Sequence, residues 1–130
     1  MLFTKESDYA IRIVRALRSE EKHSVKDICQ AEDIPEAFAY KILKKMHKAG
    51  IVTVIRGTGG GFVLNRNIHQ LTLYDIITAI EPDFSITHCM NNRCSRNTKG
   101  SPCKVHGELF RIQNNVINDL KSKTLGQILN

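Results

Sequence analysis

The sequence predicts a mainly α-helical protein that contains one small β-hairpin. Apolar residues recur every three or four positions in several separate segments, which is the spacing of a buried helix face. One stretch, "IVTVIRGTGGGFVLNR", instead carries β-branched residues on both sides of a run of glycines, as a hairpin does. The length of 130 residues and the hydrophobic fraction of 42% are sufficient for one compact domain with its own core.

Two helices are predicted before Pro35. The first extends from Thr4 to Ser19, and its buried face is expected to consist of Tyr9, Ala10, Ile13, Val14 and Leu17. The second is short and is expected to start at Ser24, whose hydroxyl can cap the first turn. Its inward residues are Val25, Ile28 and Cys29. We therefore interpret Cys29 as a small buried apolar residue rather than as a metal ligand.

The third predicted helix, "EAFAYKILKKMHKAG", is the most basic one. It closes at Gly50, and its inner face is expected to consist of Phe38, Ile42, Leu43 and Met46. Two short helices joined by a tight break, with the second helix basic on its outer side, are typical of a helix-turn-helix. In that motif the second helix lies in the major groove of DNA. The net charge of +6 also favours an anionic partner such as double-stranded DNA.

The hairpin follows the third helix directly, and this order predicts a winged helix-turn-helix, with Arg56 and Arg66 flanking the hairpin tip. Contacts to base edges are expected from the start of the third helix, namely from Glu36, Ala37, Tyr40 and Lys41. Tyr40 lies off the apolar face, so an exposed aromatic ring is expected there. Contacts to phosphate or to the groove are expected from Lys44, Arg56, Gly57 and Thr58.

A fourth and a long fifth helix are predicted after the hairpin. Thr72 is expected to cap the fourth, which ends at Pro82 and buries Leu73, Ile76, Ile77 and Ile80. The long helix carries an apolar seam of Val105, Leu109, Ile112, Val116 and Leu120. In so small a protein this seam predicts a dimerisation helix that forms a homodimer, which also suits a protein that reads two DNA half-sites. The last segment, "TLGQIL", is expected to pack back on the seam through Leu125, Ile128 and Leu129.

Three cysteines lie between the fourth and fifth predicted helices, at Cys89, Cys94 and Cys103 with the spacing C-x4-C-x8-C, and His106 follows. The start of the chain has no apolar leader and no membrane-spanning run is present, so a cytoplasmic location is expected. Disulfides are rarely structural in the cytosol, so the cysteines indicate a metal, a catalytic thiol or a redox sensor. The spacing alone leaves zinc, an iron–sulfur cluster and free thiols open.

Two other classes of function are not indicated by the sequence. The glycines of "RGTGGGF" lie between two strands, whereas a nucleotide-binding loop needs them between a strand and a helix start. No serine–histidine–aspartate set or carboxylate pair can be assembled, so an enzyme is not expected. The predicted organisation is a DNA-binding domain over residues 1–81, a cysteine-rich loop over 82–104, and a dimerisation helix with its tail over 105–130.

Several strings together resemble the IscR/NsrR type of winged-helix transcription regulators. These are "MLFTKESDYAIR" at the start, "KILKKMHKAGIVTVIRGTGGGFVLNR" through the wing and "TLGQIL" at the end, so the likeness extends over essentially the whole chain. The most specific piece is "RGTGGGF", which is similar to the family's arginine-glycine-x-x-glycine-glycine-aromatic signature. The resemblance implies a DNA-binding regulator, since family members repress or activate genes, and a repressor is expected here.

The resemblance also implies a cofactor. Family members with three such cysteines bind an iron–sulfur cluster, of the 2Fe–2S or 4Fe–4S type, and respond to nitric oxide, oxygen, redox state or iron–sulfur supply. The fourth ligand is a histidine at the place of His106 in IscR-like members and a carboxylate from the partner subunit at the place of Asp8 in NsrR-like members. His88, beside Cys89, is a weaker candidate. The gaps of four and eight residues differ from the five that such relatives often have. A structural zinc or a thiol-based switch are the alternatives.

Overall fold

A computed structural model describes residues 2–130 and contains six α-helices, two short 3₁₀ helices and one two-stranded antiparallel sheet within that range. The fold is the expected one, with a hairpin between the third and fourth α-helices. The elements in chain order are α1 Lys5–Ala16, α2 Val25–Glu32, α3 Glu36–Lys48, β1 Val52–Ile55, β2 Gly61–Leu64, α4 Leu73–Ile80, α5 Lys104–Lys121 and α6 Leu125–Leu129. The 3₁₀ helices are Ile68–Gln70 and His88–Met90. No helix in residues 2–130 combines the length and the hydropathy that a membrane crossing requires.

Side-chain caps fix the start of most helices. Ser24 and Thr72 each accept a hydrogen bond from the backbone three residues later, in capping boxes closed by Asp27 and Asp75. Both starts confirm the sequence prediction. The first helix is shorter than predicted, because it ends at Ala16 and the chain then turns through Glu20, which has a positive φ of 62°.

The core lies between α1, α2, α3 and α4, where the largest fully buried side chains include Ile13, Leu17, Ile42, Leu43 and Ile76. One predicted core residue is wrong. Phe38 is 46% exposed, and the small Ala39 is buried in its place. Because the buried positions of α3 are 39, 42, 43 and 46, residue 38 lies about 100° away around the helix, at its edge. There its ring packs beside Tyr9 of α1, with 5.9 Å between centroids.

The hairpin pairs Val52 with Leu64 and Ile55 with Gly61, and it is anchored to the segment that precedes α2. The backbone of His23 exchanges two hydrogen bonds with Phe62 of β2, at 3.0 and 2.8 Å. A Cβ atom at position 61 would lie 2.5 Å from the carbonyl oxygen of His23, so this close approach requires glycine. The wing is therefore attached to the helix-turn-helix at its second strand as well as through its sequence neighbours.

Arg66 does not flank the tip of the hairpin, contrary to the prediction. The tip is formed by residues 56–60, whereas Arg66 follows the end of β2 at the base of the wing. Its guanidinium lies 3.7 Å from the carboxylate of Asp75 in α4 and donates to the carbonyl oxygen of Gln70 at 3.2 Å. Arg66 thus joins the base of the wing to the next helix.

The two C-terminal helices, α5 and α6, pack against different parts of the protein, whereas they were predicted to pack against each other. Helix α5 packs against α4 and the 3₁₀ helix at His88–Met90, and its buried Gln113 accepts a hydrogen bond from the backbone of Ile86 at 3.0 Å. Helix α6 does not pack on the apolar seam. The Leu125 side chain lies in the main core, and its backbone amide donates to the carbonyl oxygen of Leu71 at 2.7 Å. Helix α6 itself packs against the 3₁₀ helix Ile68–Gln70. The cause is a backbone bridge between Thr72 and Thr124, which directs the chain away from α5.

Candidate nucleic-acid interface and cysteine pocket

The side of α3 opposite the core is exposed and basic. The exposed residues on this side and its flanks include Glu36, Ala37, Tyr40, Lys41, Lys44, His47 and Lys48. Tyr40 is 55% exposed, as expected for an aromatic ring outside the apolar face. Within residues 2–130, neither Lys44 nor Lys48 forms an ion pair, so their charges face solvent unpaired. An unpaired basic ridge of this kind attracts phosphate.

Helix α3 and the wing form one continuous concave surface. A groove of about 310 Å³ is lined by Tyr40, Lys44 and His47 from α3 and by Val54 and Phe62 from the wing. His47 was not singled out from the sequence, where it reads as one more polar residue in the basic helix. Its Nδ1 lies 3.2 Å from the carbonyl oxygen of Val52, which holds the ring between the helix and β1.

The hairpin tip presents Arg56, Gly57 and Thr58, all exposed, at the outer end of this surface. Gly57 and Gly59 have positive φ values of 97° and 71°, which a residue with a side chain rarely adopts. The tight turn they allow is closed by a hydrogen bond from the amide of Gly60 to the carbonyl oxygen of Gly57, at 3.0 Å. The arginine is therefore carried on a short, closed turn rather than on a long loop.

Lys41 and Lys45 differ from Lys44 and Lys48 because both are paired within the protein. Nζ of Lys41 lies 2.7 Å from one carboxylate oxygen of Glu6 in α1, and Nζ of Lys45 lies 2.6 Å from the other. The hydrogen bonds from Lys41 and then Lys45 lower the pKa of the Glu6 carboxyl below its ordinary value. Sequence reasoning missed Glu6, since an acidic residue in the first turn of a helix is common enough to attract no notice.

The segment between α4 and α5 forms an open pocket of about 730 Å³, which is lined by three of the predicted ligands. Cys89, at the centre of the 3₁₀ helix, lines the pocket together with Cys94 and His106. Arg93 and Lys99 also line it and supply positive charge. All four cysteines of the chain are free thiols, and the three in this segment are half-buried.

Cys103 and His106 meet at the start of α5. Cys103 is the N-cap residue, and its sulfur accepts a hydrogen bond from the amide of His106 at 3.4 Å. Within residues 2–130, Nδ1 of His106 is a buried side-chain nitrogen without a hydrogen-bond partner. An unpartnered buried nitrogen costs free energy, on the order of 1–3 kcal/mol, unless a ligand or water satisfies it. His106 therefore has an unused donor or acceptor beside the pocket.

Asp8, His88 and Cys29 do not line this pocket, and neither does Cys103. Asp8 forms an ion pair with Arg12 at 3.1 Å on α1, and His88 points its Nδ1 to within 3.3 Å of the side-chain amide of Asn92. Cys29 packs against the core, as predicted, and burial raises the pKa of its thiol. Over residues 2–130, no three His, Cys, Asp or Glu side chains are arranged to hold a single metal ion.

Residues 3–130 match the family model Rrf2, described as an iron-dependent transcriptional regulator. The chain is 28% identical over 133 residues to the transcriptional regulator IscR of Vibrio campbellii, a match that covers 99% of this chain and 77% of the relative. It is 26% identical over 132 residues to the transcriptional regulator NsrR of Geobacillus kaustophilus, covering 99% and 90% respectively. Both relatives are therefore matched over nearly the whole of this chain.

Solved structures share the arrangement of helices and hairpin. The structure of CymR, the global cysteine regulator of Bacillus subtilis, superposes with a TM-score of 0.78 at 23% identity. The superposition covers 98% of this chain and 95% of that one. At this level of identity the likeness concerns the fold.

Proposed function

The chain belongs to the Rrf2 family and is a DNA-binding transcriptional regulator, and we propose that an iron–sulfur cluster on Cys89, Cys94 and Cys103 controls its binding to an operator. The observation that carries the proposal is the pocket between α4 and α5, which is lined by the thiols of Cys89 and Cys94 and by His106, whose buried Nδ1 has no hydrogen-bond partner within residues 2–130. Such a cluster supplies a group that gains or loses electrons and is altered by nitric oxide or oxygen.

The donor set fits a cluster better than a single zinc ion. Structural zinc requires four donors that converge tetrahedrally at about 2.0–2.3 Å from one point. No three donors in residues 2–130 are arranged in that way, whereas Cys89, Cys94 and His106 line a cavity of about 730 Å³ and Cys103 bonds to the amide of His106 beside it. A polynuclear cluster accepts ligands over a wider span than one ion does. This comparison supports the iron–sulfur proposal over the structural-zinc alternative.

We assign the fourth ligand to His106. Within residues 2–130 its Nδ1 is buried and unpartnered. The hydrogen bond from its backbone amide to the sulfur of Cys103 holds the two residues in the same turn. Asp8 is the alternative, through the partner subunit, but its carboxylate is already paired with Arg12 in this chain. Replacing Asp8 and His106 separately by alanine tests the assignment, since only the ligand's loss should change the absorption spectrum of the loaded protein.

For DNA, the proposed interface is the surface shared by α3 and the wing. Base-edge contacts are assigned to the exposed residues near the start of α3, namely Glu36, Ala37, Tyr40 and Lys41. To reach a base edge, Lys41 would have to leave the carboxylate of Glu6, with which it is paired in the unbound chain. Phosphate and groove contacts are assigned to Lys44, Arg56, Gly57 and Thr58. The groove between α3 and the wing supports this division, because Lys44 lies beside Tyr40 while Arg56 extends the surface at the tip.

We further propose a homodimer that forms through α5. Val105 and Ile112 of the seam are 67% and 38% exposed in the single chain. Large apolar side chains grouped on one helix are typical of a protein–protein contact. A two-fold dimer would present two copies of α3 to successive half-sites of an operator.

The decisive experiment is purification without oxygen, followed by an absorption spectrum, analysis of iron, sulfide and zinc, and operator binding. We expect a coloured protein with iron and sulfide, and loss of the colour in Cys89→Ala, Cys94→Ala and Cys103→Ala. The matched control is Cys29→Ala, which should keep the colour. Zinc without iron or sulfide would replace the proposal by a structural zinc. A metal-free protein that forms a disulfide on oxidation would replace it by a thiol switch.

A further inference from the structure

Glu6 forms ion pairs with two lysines of the helix that faces DNA in the proposed interface. Its carboxylate lies between Nζ of Lys41 at 2.7 Å and Nζ of Lys45 at 2.6 Å, and its side chain is only 22% exposed. The helix dipole alone would favour an acid anywhere in the first turn of α1. It does not account for a carboxylate that crosses to α3 and contacts two of its side chains, so a second role for Glu6 is needed.

The position of the two lysines indicates what that role is. Lys41 lies on the outer side of α3 near Lys44 and is 59% exposed, while Lys45 lies towards α1. Without Glu6, both ammonium groups would be free to contact phosphate on any duplex. Each phosphate that a lysine neutralises strengthens binding independently of sequence. It also steepens the slope of log K against log salt by about 0.9. A carboxylate that occupies these lysines therefore weakens binding to all DNA.

We propose that Glu6 is a specificity-determining residue that suppresses non-operator binding by holding Lys41 and Lys45. The inference rests on the proposed function, because it requires that α3 faces DNA. On non-operator DNA, lysine–phosphate contacts provide nearly all of the affinity. On the operator, contacts of Tyr40 and its neighbours with base edges provide an additional part. Losing the same lysine–phosphate contacts from both duplexes would lower both affinities by the same factor. Base-edge contacts fix the orientation of α3 on the operator, however, so fewer phosphates lie within reach of Lys41 and Lys45 there than on a duplex along which the protein can shift. Restraining the two lysines therefore lowers non-operator affinity by a larger factor than operator affinity and raises the ratio between them.

Lys44 and Lys48 supply the contrast within the same helix. Neither forms an ion pair in the part of the chain that the structure describes, although both are exposed on α3. The protein thus leaves two lysines free for phosphate and restrains two others. The restraint also fixes the direction in which the Lys41 side chain extends, because its ammonium group is held towards α1.

The test is the salt dependence of binding to an operator duplex and to a non-operator duplex by the full-length protein. Glu6→Gln should raise non-operator affinity about tenfold near 0.1 M salt and steepen the salt slope by about 0.9 for each additional phosphate that the released lysines neutralise. The operator affinity should rise by a smaller factor. The control is Glu108→Gln, which removes one charge and one ion pair, with Arg111, on α5 instead.

Two further variants separate the possible results. Adding Lys41→Gln and Lys45→Gln to Glu6→Gln should return the non-operator slope to that of the parent protein. A Glu6→Gln protein that is folded, as judged by thermal unfolding, but has the parent's salt slope and operator preference would overturn the inference. If Lys44→Ala and Arg56→Ala also leave DNA binding unchanged, the proposed interface has failed. If those two weaken binding, only the role of Glu6 has failed.

Discussion

The hydroxyl of Ser7 donates a hydrogen bond to the carboxylate of Glu81, a residue 74 positions later in the chain. The same carboxylate accepts a hydrogen bond from the hydroxyl of Thr4, at 3.1 Å. Glu81 ends α4 and begins the segment that carries the cysteines, whereas Ser7 follows Glu6, which contacts α3. Ser7, Glu81 and Glu6 therefore form a physical connection from the cysteine segment through α1 to the helix proposed to read DNA.

We predict that Glu81→Ala weakens the coupling between the cysteine pocket and the operator. The parent protein is expected to bind its operator with at least about a tenfold difference between cluster-loaded and cluster-free forms, which corresponds to about 1.4 kcal/mol. Without Glu81 this difference should shrink, and stability should fall by about 1–3 kcal/mol because the fully buried Ser7 hydroxyl loses its acceptor. Operator titrations of both forms without oxygen measure the coupling.

Asp83→Ala is the matched control for that variant. Asp83 is exposed and lies two residues beyond Glu81, and in the hydrogen bond that it forms with Asn91 the acceptor is its backbone carbonyl. Its side chain can therefore be removed without loss of that bond. A Glu81→Ala protein with the same coupling as Asp83→Ala would show that the connection through Ser7 does not transmit the state of the pocket.

Substitutions in α3 and the wing are expected to separate affinity from sequence preference. Lys44→Ala and Arg56→Ala should weaken binding to all duplexes and reduce the salt slope by about one unit for each phosphate that is no longer neutralised. Tyr40→Ala should instead change which operator variants are preferred, because base-edge contacts carry the sequence information. Competition assays with single-base operator variants measure both effects. A uniform loss in Tyr40→Ala would contradict the assignment of this residue to a base edge.

We expect Ile112→Asp to convert a dimer into monomers at micromolar concentration. Ile112 is 38% exposed in the isolated chain and shares the seam with Val105, so a carboxylate there would be buried without a partner in a dimer. Asn115→Asp adds the same charge at an exposed position on α5 and should leave the dimer intact. Analytical ultracentrifugation distinguishes the two. A parent protein that is a monomer and binds its operator fully would refute the dimer proposal.

The stability contributed by Glu6 should depend on pH in the acid range. Lys41 and Lys45 lower the pKa of this carboxyl in the folded protein below the ordinary value of 4.5. The contribution of its ionised form is therefore complete above pH 4.5 and is lost as the pH falls through the lowered folded value. The difference in stability between the parent protein and Glu6→Gln should disappear on acidification. Denaturant unfolding at several pH values checks this, and a difference that grows below pH 4.5 would contradict it.

Gly61→Ala is expected to destabilise the wing. The added Cβ would lie 2.5 Å from the carbonyl oxygen of His23, so the bridge between β2 and the segment before α2 would have to move. Gly107→Ala is the control, since a Cβ there meets nothing within 4 Å and alanine favours a helix by about 0.8–1.0 kcal/mol over glycine. Thermal unfolding should show a decrease for the first variant and an unchanged or higher midpoint for the second.

Features that depend on local sequence were predictable. The hairpin, the caps at Ser24 and Thr72 and the burial of most of the α1 face follow from short-range patterns, and the structure confirms them. Features that depend on distant packing were not. Phe38 and Ala39 differ by one position around a helix, and only the placement of α1 beside α3 decides which of them is buried.

The candidate sites divide in the same way. The cysteines and His106 were identified because of their residue types, and the structure adds that Nδ1 of His106 is buried without a partner. Glu6 and Glu81 could not be identified, because each acts on residues far away in the sequence, 39 positions from Glu6 to Lys45 and 74 from Glu81 to Ser7. No local sequence pattern distinguishes an acidic residue whose carboxylate faces solvent from one whose carboxylate contacts a distant helix.

Because α6 is attached to the main core, a small tilt of α5 about its C-terminal end would displace its N-terminal end. Its C-terminal end is fixed. The backbone amide of Leu125, three residues after Ser122, donates a hydrogen bond to the carbonyl oxygen of Leu71, and the Leu125 side chain lies in the core. Its N-terminal end begins at Cys103, in the same segment as the other predicted ligands. At 18 residues the helix is about 27 Å long, so a tilt of about 5° at the fixed end displaces the cysteine end by about 2 Å. In the proposed homodimer, a rearrangement at the pocket would therefore rotate the surface of α5 on which the second copy is expected to pack.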